Sequence, residues 1–237
     1  MDTYKAVLDS ENLGEPHSTL LGGDMWYPPD EQQVREVLAR KELTGSGLMD
    51  GTRIGDDFLE TLTVMQRATV EYYTFAGIER RSITVRTAAM GRDAVLVVSG
   101  GGIIELEPIP VDRMAQCLVE ALPDAPAARV HSMACDETDL KGILNDKWLP
   151  SSNSVRDAKR MKRWLEAERI NAGQLYAAVR DGSGSRNATS VPVPTWIDTE
   201  EGRILFSVDG NGWVNLVGAG PAAIADKLRA LEQSLRN

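Results

Sequence analysis

The sequence contains little of what a metal site or a disulfide framework requires. Its 237 residues include two cysteines, Cys117 and Cys135, and two histidines, His17 and His131. None of the four has a partner at the spacing of a HExxH, CxxC or HxH motif, so we predict no metal site. Two distant cysteines do not staple a secreted fold, and we expect Cys117 in the core and both histidines on the surface.

Long apolar runs, an export signal and an excess of basic residues are also lacking. No stretch approaches the roughly 18 apolar residues that a membrane helix needs, and the first residues lack the basic and apolar regions of a signal peptide. We therefore predict a cytoplasmic protein that does not insert into membranes. The net charge of -9 opposes binding to nucleic acid. The densest basic run, residues 156–169, is interleaved with acids and predicts a solvated, salt-bridged helix face.

Catalytic motifs are missing as well. There is no GxSxG elbow or Walker loop, and the glycine-rich string at residues 181–186 lies between two predicted strands, as a hairpin loop would. The acidic string at residues 136–139 precedes a helix and predicts capping. The string at residues 198–202 has the composition of a tight turn, which predicts solvated carboxylates. We predict no catalytic residue and no cofactor, although an acid/base pair assembled by the fold stays open.

Hydrophobic periodicity predicts two helices, an antiparallel meander of four strands and a third helix in the first half of the chain. Glycine-containing breaks of hairpin length separate the strands. The predicted helices cover residues 28–43, with an apolar stripe of Val34, Val37 and Leu38, residues 54–67, and residues 110–122. The predicted strands cover residues 69–76, 82–90, 94–98 and 103–107.

The same order of elements recurs about 110 residues later. After a proline- and alanine-rich stretch around Pro123 to Pro126, helices are predicted over residues 138–147 and 155–170, and a last helix begins at Pro221. Strands are predicted over residues 174–180, 189–198, 203–208 and 213–217. The chain is thus predicted to be an α+β protein with a central antiparallel β-sheet flanked by helices. Its two similar helix-helix-four-strand-helix halves cover residues 1–125 and 126–237.

Short motifs spread over almost the whole chain resemble those of the EspG family, cytosolic proteins of actinobacterial type VII (ESX) secretion. In the second half they are Trp196-Ile197-Asp198-Thr199, Gly202-Arg203, Gly212-Trp213-Val214 and the helix Ile224–Leu228. In the first half they are Leu13-Gly14-Glu15-Pro16, Gly47-Leu48 before Asp50-Gly51, Val70-Glu71-Tyr72 and Ala94-Val95-Leu96. The order and spacing of these motifs carry the resemblance.

The resemblance implies a chaperone or adaptor that binds the helical tip of the PPE protein in a PE/PPE heterodimer, keeps it soluble and presents it for secretion. It implies no enzyme activity and no cofactor, and a sheet whose halves are related by pseudo-two-fold symmetry. By position, it places the loop of Gly77, Ile78, Glu79, Arg80 and Arg81 near the client. In the C-terminal sheet it suggests Trp213 as a contact.

Two alternatives remain at this point. One is a general interaction module similar to type III secretion chaperones, which usually self-dimerise, so a homodimer is possible. The other is an enzyme with a fold-assembled acid/base pair. The predicted positions of four tryptophans in or beside helices and strands favour core packing, with at least one available for an interface. These are Trp148, Trp164, Trp196 and Trp213.

Overall fold

Ten strands form one large antiparallel sheet in the computed structural model, which describes residues 2–20 and 29–236. The helices are α1 (Asp2–Ser10), α2 (Pro29–Gly45), α3 (Asp56–Arg67), α4 (Met114–Glu120), α5 (Glu137–Leu144), α6 (Asn153–Glu166) and α7 (Pro221–Arg236). The strands are β1 (Met49–Asp50), β2 (Arg53–Ile54), β3 (Val70–Ile78), β4 (Arg81–Met90), β5 (Asp93–Gly100), β6 (Ile103–Pro108), β7 (Met133–Asp136), β8 (Asn171–Arg180), β9 (Arg186–Ala188), β10 (Thr195–Thr199), β11 (Gly202–Val208) and β12 (Trp213–Gly218). The predicted α+β class with a central antiparallel sheet flanked by helices is confirmed.

The strand order places β3 and β8, the first strand of each predicted meander, at the centre of the sheet. It reads β6-β5-β4-β3-β8-β10-β11-β12-β7, with β9 also paired to β8. The central pair runs from Val70 opposite Val179 to Ile78 opposite Asn171. Each half therefore extends outward from this pair as an antiparallel meander. A pseudo-two-fold axis relating the halves, and their division at residue 125, stay predictions.

Several elements differ from the sequence-based expectation. The sequence did not predict helix α1 or strands β1, β2, β7 and β9, and these have no counterpart among the described elements of the other half. The strand predicted over residues 189–198 begins only at Thr195, in β10, because Pro192 and Pro194 in the stretch before it cannot donate ladder hydrogen bonds. Residue 28 of the first predicted helix lies outside the described residues. The expected apolar stripe of α2 is exposed to solvent at Val34, Val37 and Leu38.

One face of the sheet is covered by α4 and α7, whose apolar sides share a core with strands of both halves. In α7 this side consists of Ile224 and Leu228, with Leu231 and Leu235 partly buried. Proline at the first position of α7 suits a helix start, because its missing N–H is not needed there. No described helix is long and apolar enough to cross a membrane.

The opposite face, called here the split face, carries two separate apolar clusters. Helices α1 to α3 pack over β4 and β5, where Leu62, Met65 and Val95 are buried. Helices α5 and α6 pack over β10 to β12, where Met161, Ile204 and Val214 are buried. Neither cluster includes a residue of β3, and of β8 only Ala172 joins one of them. The two helical clusters therefore cover the sides of the split face but not its middle, over β3 and β8.

Candidate functional site

An accessible strip of sheet surface runs between the two helical clusters of the split face. We define this open strip by Phe75 and Gly77 of β3 and Gln174 and Tyr176 of β8. Phe75 lies opposite Gln174, and side chains two residues apart on a strand share a face. Phe75 and Tyr176 are half-buried, whereas Gly77 and Gln174 are exposed. A Cβ atom built at Gly77 would meet no atom of residues 2–20 and 29–236 within 4 Å, so this part of the chain leaves the space above the glycine open.

Three aromatic side chains form the floor beside Gly77. The rings of Tyr73 and Tyr176 stack with centroids 4.9 Å apart and planes 3° from parallel. The ring of Phe75 meets them edge-on, at 6.0 Å from Tyr73 and 5.7 Å from Tyr176. Offset and edge-to-face pairs of this kind hold rings rigidly, and a rigid aromatic surface binds apolar side chains at a low cost in conformational entropy.

A buried carboxylate, that of Glu71, lies next to this floor on the same face of β3. Glu71 accepts hydrogen bonds from Arg86 Nε at 3.2 Å and from Arg186 Nε at 3.1 Å, and His17 Nε2 lies 3.2 Å from its Oε2. Burial on its own would raise the pKa of the Glu71 carboxyl. The hydrogen bond from His17 and the charges and hydrogen bonds of the two arginines outweigh it, so the pKa lies well below its usual range. Glu71 is therefore ionised and joins β3, β4, β9 and the segment that carries His17.

The histidine in this network is neutral rather than cationic. Burial lowers the pKa of His17, although its hydrogen bond to Glu71 opposes that shift. Nδ1 lies 3.2 Å from the backbone nitrogen of Thr19 and 2.9 Å from its Oγ1, and Nε2 lies 3.2 Å from Glu71 Oε2 and 2.9 Å from Arg186 Nη2. The ring also meets Tyr73 edge-on at 5.0 Å. The prediction that His17 lies on the surface is thus wrong, whereas His131 is exposed as predicted.

The segment of residues 13–20 lines the first-half side of the open strip. Gln66 Nε2 of α3 donates to the carbonyl oxygen of Glu15 at 2.9 Å, and Thr84 Oγ1 of β4 donates to that of Thr19 at 2.8 Å. These bonds, together with His17, hold the segment against the sheet. One wall of the strip is therefore fixed by side chains of α3 and β4.

The predicted client loop continues the open strip at the end of β3. Glu79 and Arg80 have φ angles of 48° and 64° and join Ile78 to Arg81 in a two-residue turn. Two successive positive φ values are typical of a type I′ hairpin turn. Glu79 N donates to Asn171 Oδ1 at 3.3 Å, which ties the turn to β8. Gly77 belongs to both the loop and the strip, so the structure brings the two together.

Trp213 lies far from this loop. Ile78 is level with Arg203 across β8 and β10, and Val208 at the other end of β11 pairs with Val214. Trp213 is thus four strands across and six residues along from Ile78. At about 4.8 Å per strand and about 3.3 Å per residue, that separation is roughly 28 Å. The structure does not bring Trp213 together with the other predicted contacts, and its role stays a prediction.

The tryptophans divide into two groups. Trp164 and Trp196 are buried, as core packing predicts, whereas Trp213 is 43% exposed and Trp148 is 86% exposed. Cys117 is buried, as expected.

Asp198 contradicts the expectation of solvated carboxylates in the β10–β11 turn. Its Oδ1 and Oδ2 accept hydrogen bonds from Arg203 Nε at 2.6 Å and Nη2 at 3.0 Å, and both residues are buried. The guanidinium also lies 4.7 Å from the Trp196 ring centroid and donates to the carbonyl oxygen of Pro123 at 2.8 Å. The turn composition misled the prediction because Asp198 and Arg203 are a cross-strand pair that shields its own charges.

Two other local predictions are confirmed. Asp136 caps α5 by accepting the N–H of Thr138 at 2.7 Å, and residues 181–185 of the glycine-rich string form the hairpin loop between β8 and β9. Among residues 2–20 and 29–236, no group of three or more histidine, cysteine or acidic side chains could hold a metal ion.

The sequence-based search did not select the aromatic floor. Its signal was present in β3, where Tyr73 and Phe75 alternate with residues of the other face. What the sequence could not provide is the pairing of β3 with β8, which places Tyr176 beside both rings.

Comparison with known families and structures gives two results. The model of the EspG family matches residues 1–230. Among solved structures, the Mycobacterium tuberculosis type VII secretion system chaperone EspG5, in complex with the PE25-PPE41 dimer, matches with a TM-score of 0.65 and 15% identity. The match covers 83% of this chain and 84% of that one, and at this identity it shows the fold. No curated protein sequence matches the chain.

Proposed function

The chain belongs to the EspG family, and on that basis we propose that it is a cytoplasmic chaperone of type VII secretion. It binds a PE/PPE heterodimer through the PPE subunit, keeps the pair soluble and presents it for export. The observation that carries the proposal is the family match over residues 1–230. The similarity in fold to a chaperone solved with a PE25-PPE41 dimer supports the same proposal.

The client surface consists of the open strip and the β3–β4 loop. An exposed apolar helix tip promotes aggregation, and covering it removes that apolar area from water. The strip offers the rings of Phe75 and Tyr176 at its centre, with Gln174 beside them. The charged residues Glu79 and Arg80 stand at its end. This combination of an aromatic centre and a polar rim is the usual composition of a protein interface.

The open space above Gly77 lets the client backbone or an apolar side chain approach the sheet closely. A client lying further across the second half would also reach Trp213. The role is one of binding and requires no catalytic residue and no cofactor.

Co-expression with the PE/PPE pairs encoded in the same genome tests the proposal. We expect at least one pair to elute from a size-exclusion column as a complex with this chain and to aggregate without it. If every pair elutes alone, the proposal is wrong. A stable homodimer that captures clients through its helices would instead favour the general interaction module.

A further inference from the structure

Positive charge is concentrated in one part of this acidic chain. Residues 141–163 contain seven lysines and arginines but only two acidic residues, whereas the whole chain has 26 basic and 35 acidic residues. This segment covers the second half of α5, the connection to α6 and most of α6. The second half therefore has a basic pole on a molecule whose remaining surface is acidic.

The basic side chains form a stripe on the outer side of α6. Val155, Ala158, Met161 and Trp164 are the buried side of this helix. Its exposed basic residues are spaced three and four apart and thus lie together on the opposite side. We call them the basic stripe; they are Arg156, Lys159, Arg160 and Arg163.

Half of the basic stripe has no charge partner within the part of the chain that the structure describes. Arg160 pairs with Asp157 at 3.6 Å and Arg163 with Glu201 at 2.9 Å, both on the surface. Arg156 and Lys159 form no ion pair with a described residue. The acids of this helix therefore neutralise fewer of its basic residues than the sequence predicted. The two surface ion pairs that do form are of a weak kind, so their arginines can exchange partners easily.

An exposed indole lies on the connection that leads from α5 into α6. Lys162 of α6 contacts the carbonyl oxygen of Ile143 at 3.3 Å, and Ser154 donates to Asp139 at 2.5 Å. The two helices therefore run side by side in the same direction, and residues 145–152 must cross back along them. Trp148 lies on this crossover and is 86% exposed, next to Lys147.

We propose that the basic stripe and Trp148 form a docking surface for anionic membranes. Charge complementarity supports this occupant, because lysines and arginines near a bilayer are attracted to anionic headgroups. Tryptophan favours the interface between headgroups and acyl chains, where its ring is in apolar surroundings and its N–H is hydrated. A convex helix with a neighbouring loop tip suits a flat bilayer better than a helical or extended peptide, which needs a groove.

The stripe and the open strip lie on the same side of the sheet, because α6 packs over β10 to β12 on the split face and its basic residues point away from the sheet. At physiological ionic strength the Debye length is about 8 Å, so the acidic remainder of the chain does not prevent contact through the stripe. The interaction is peripheral and depends on salt.

Flotation with lipid vesicles tests the proposal. The full chain is mixed with vesicles of phosphatidylcholine alone, or of equal parts phosphatidylcholine and phosphatidylglycerol, at low and high salt. We expect binding to the anionic vesicles only, lost at high salt. The double variant Arg156→Glu with Lys159→Glu should weaken that binding by about tenfold or more. The matched control, Arg53→Glu with Arg92→Glu, changes the net charge equally at exposed first-half positions and should bind like the wild type.

Trp148→Ser separates insertion of the indole from the effect of charge. Anionic vesicles should shift the tryptophan emission of the wild type to shorter wavelength, and this variant should lose the shift. No binding to anionic vesicles, equal binding to neutral ones, or equal losses in the stripe and control variants would overturn the proposal. Salt-dependent binding of a single-stranded oligonucleotide by the stripe, without vesicle binding, would assign the surface to nucleic acid instead. None of these outcomes depends on the client, so the chaperone proposal is tested separately.

Discussion

Two glycines of the central strands, Gly77 and Gly173, have opposite surroundings. A Cβ built at Gly173 would lie 2.7 Å from atoms of the Trp196 indole, whereas a Cβ at Gly77 meets no atom of the described residues within 4 Å. Neither residue has a positive φ angle. The difference between them therefore reflects packing on the two faces of the sheet. Gly173 lets a fully buried tryptophan lie against the strand, and Gly77 keeps the strip open.

We predict that Gly173→Ala destabilises the protein and that Gly77→Ala does not. The added methyl group at residue 173 must displace Trp196, and overpacking of a close-packed core costs about 1 to 3 kcal/mol. The methyl group at residue 77 meets nothing and removes backbone freedom from the unfolded chain, so its effect is within about 1 kcal/mol of zero. Urea unfolding of the two variants measures the difference. Equal stabilities would contradict the packing seen around Trp196.

Because of His17, the free energy of unfolding should decrease as the pH falls. Burial lowers its pKa in the folded state below the value of about 6.5 in the unfolded chain. Above that pH the histidine is neutral in both states and does not change the free energy of unfolding. As the pH falls through about 6.5, the unfolded chain takes up a proton that the folded chain resists, and the free energy of unfolding decreases.

We predict that His17→Gln reduces this loss of stability. Urea unfolding at about pH 7.5 and about pH 5.5 should show a smaller decrease for the variant than for the wild type. Glu71 does not contribute over this range. Its pKa is also lowered in the folded state, so its stabilising effect is lost only at pH values below its ordinary value of 4.5. An identical decrease in both proteins would mean that His17 titrates normally.

At the scale of elements, the β3–β4 turn is built from residues that do not favour its geometry. Glu79 and Arg80 both adopt positive φ, where a side chain crowds the backbone. Asparagine and glycine are the residues that a type I′ turn prefers. A costly turn of this kind is consistent with a role for its charged side chains in binding the client.

We predict that Glu79→Asn with Arg80→Gly stabilises the protein by about 1 kcal/mol and weakens client binding. Thermal unfolding measures the first effect, and the retained fraction of client on a size-exclusion column measures the second. As a control, Arg80→Val places a β-branched residue at positive φ and should destabilise the protein. Stabilisation without a loss of binding would show that the two turn side chains do not contact the client.

The sequence predicted the elements of the sheet more reliably than their relations. Alternation and glycine-containing breaks located β3 to β6 within about two residues, because hairpin chemistry is local. The pairing of β3 with β8 depends on contacts about 100 residues apart, and no local pattern encodes it. The loop of residues 77–81 was selected by its position in the family resemblance. The floor beside it and the buried network around Glu71 depend on contacts between distant residues and were not predicted.

On the scale of the whole molecule, the two halves share one core. The cluster beneath α4 and α7 contains Leu118 and Val85 from the first half and Leu175 and Leu228 from the second. The α4 and α7 helices also contact each other. Separating the halves would expose both sides of this core and the paired edges of β3 and β8. Exposed apolar surface and unpaired strand edges favour aggregation.

We predict that residues 1–125 and residues 126–237 do not fold when expressed separately. Co-expressed, the two fragments should associate and regain a cooperative thermal transition, because the shared core is then restored. Circular dichroism and size-exclusion chromatography of each sample provide the measurement. A single fragment that is monomeric and unfolds cooperatively would contradict a shared core and favour two independent domains.

The central claim is that the open strip of the split face binds the client, and Gly77→Arg tests it most directly. Its long side chain fills the strip from a position where the fold has room, and Gly77→Ala is the matched control. Titration calorimetry with a PE/PPE pair that forms a complex should give an unchanged Kd for Gly77→Ala. For Gly77→Arg, whose circular dichroism should match the wild type, we expect a Kd weaker by about tenfold or more. A folded Gly77→Arg protein that binds the pair like the wild type would contradict the claim.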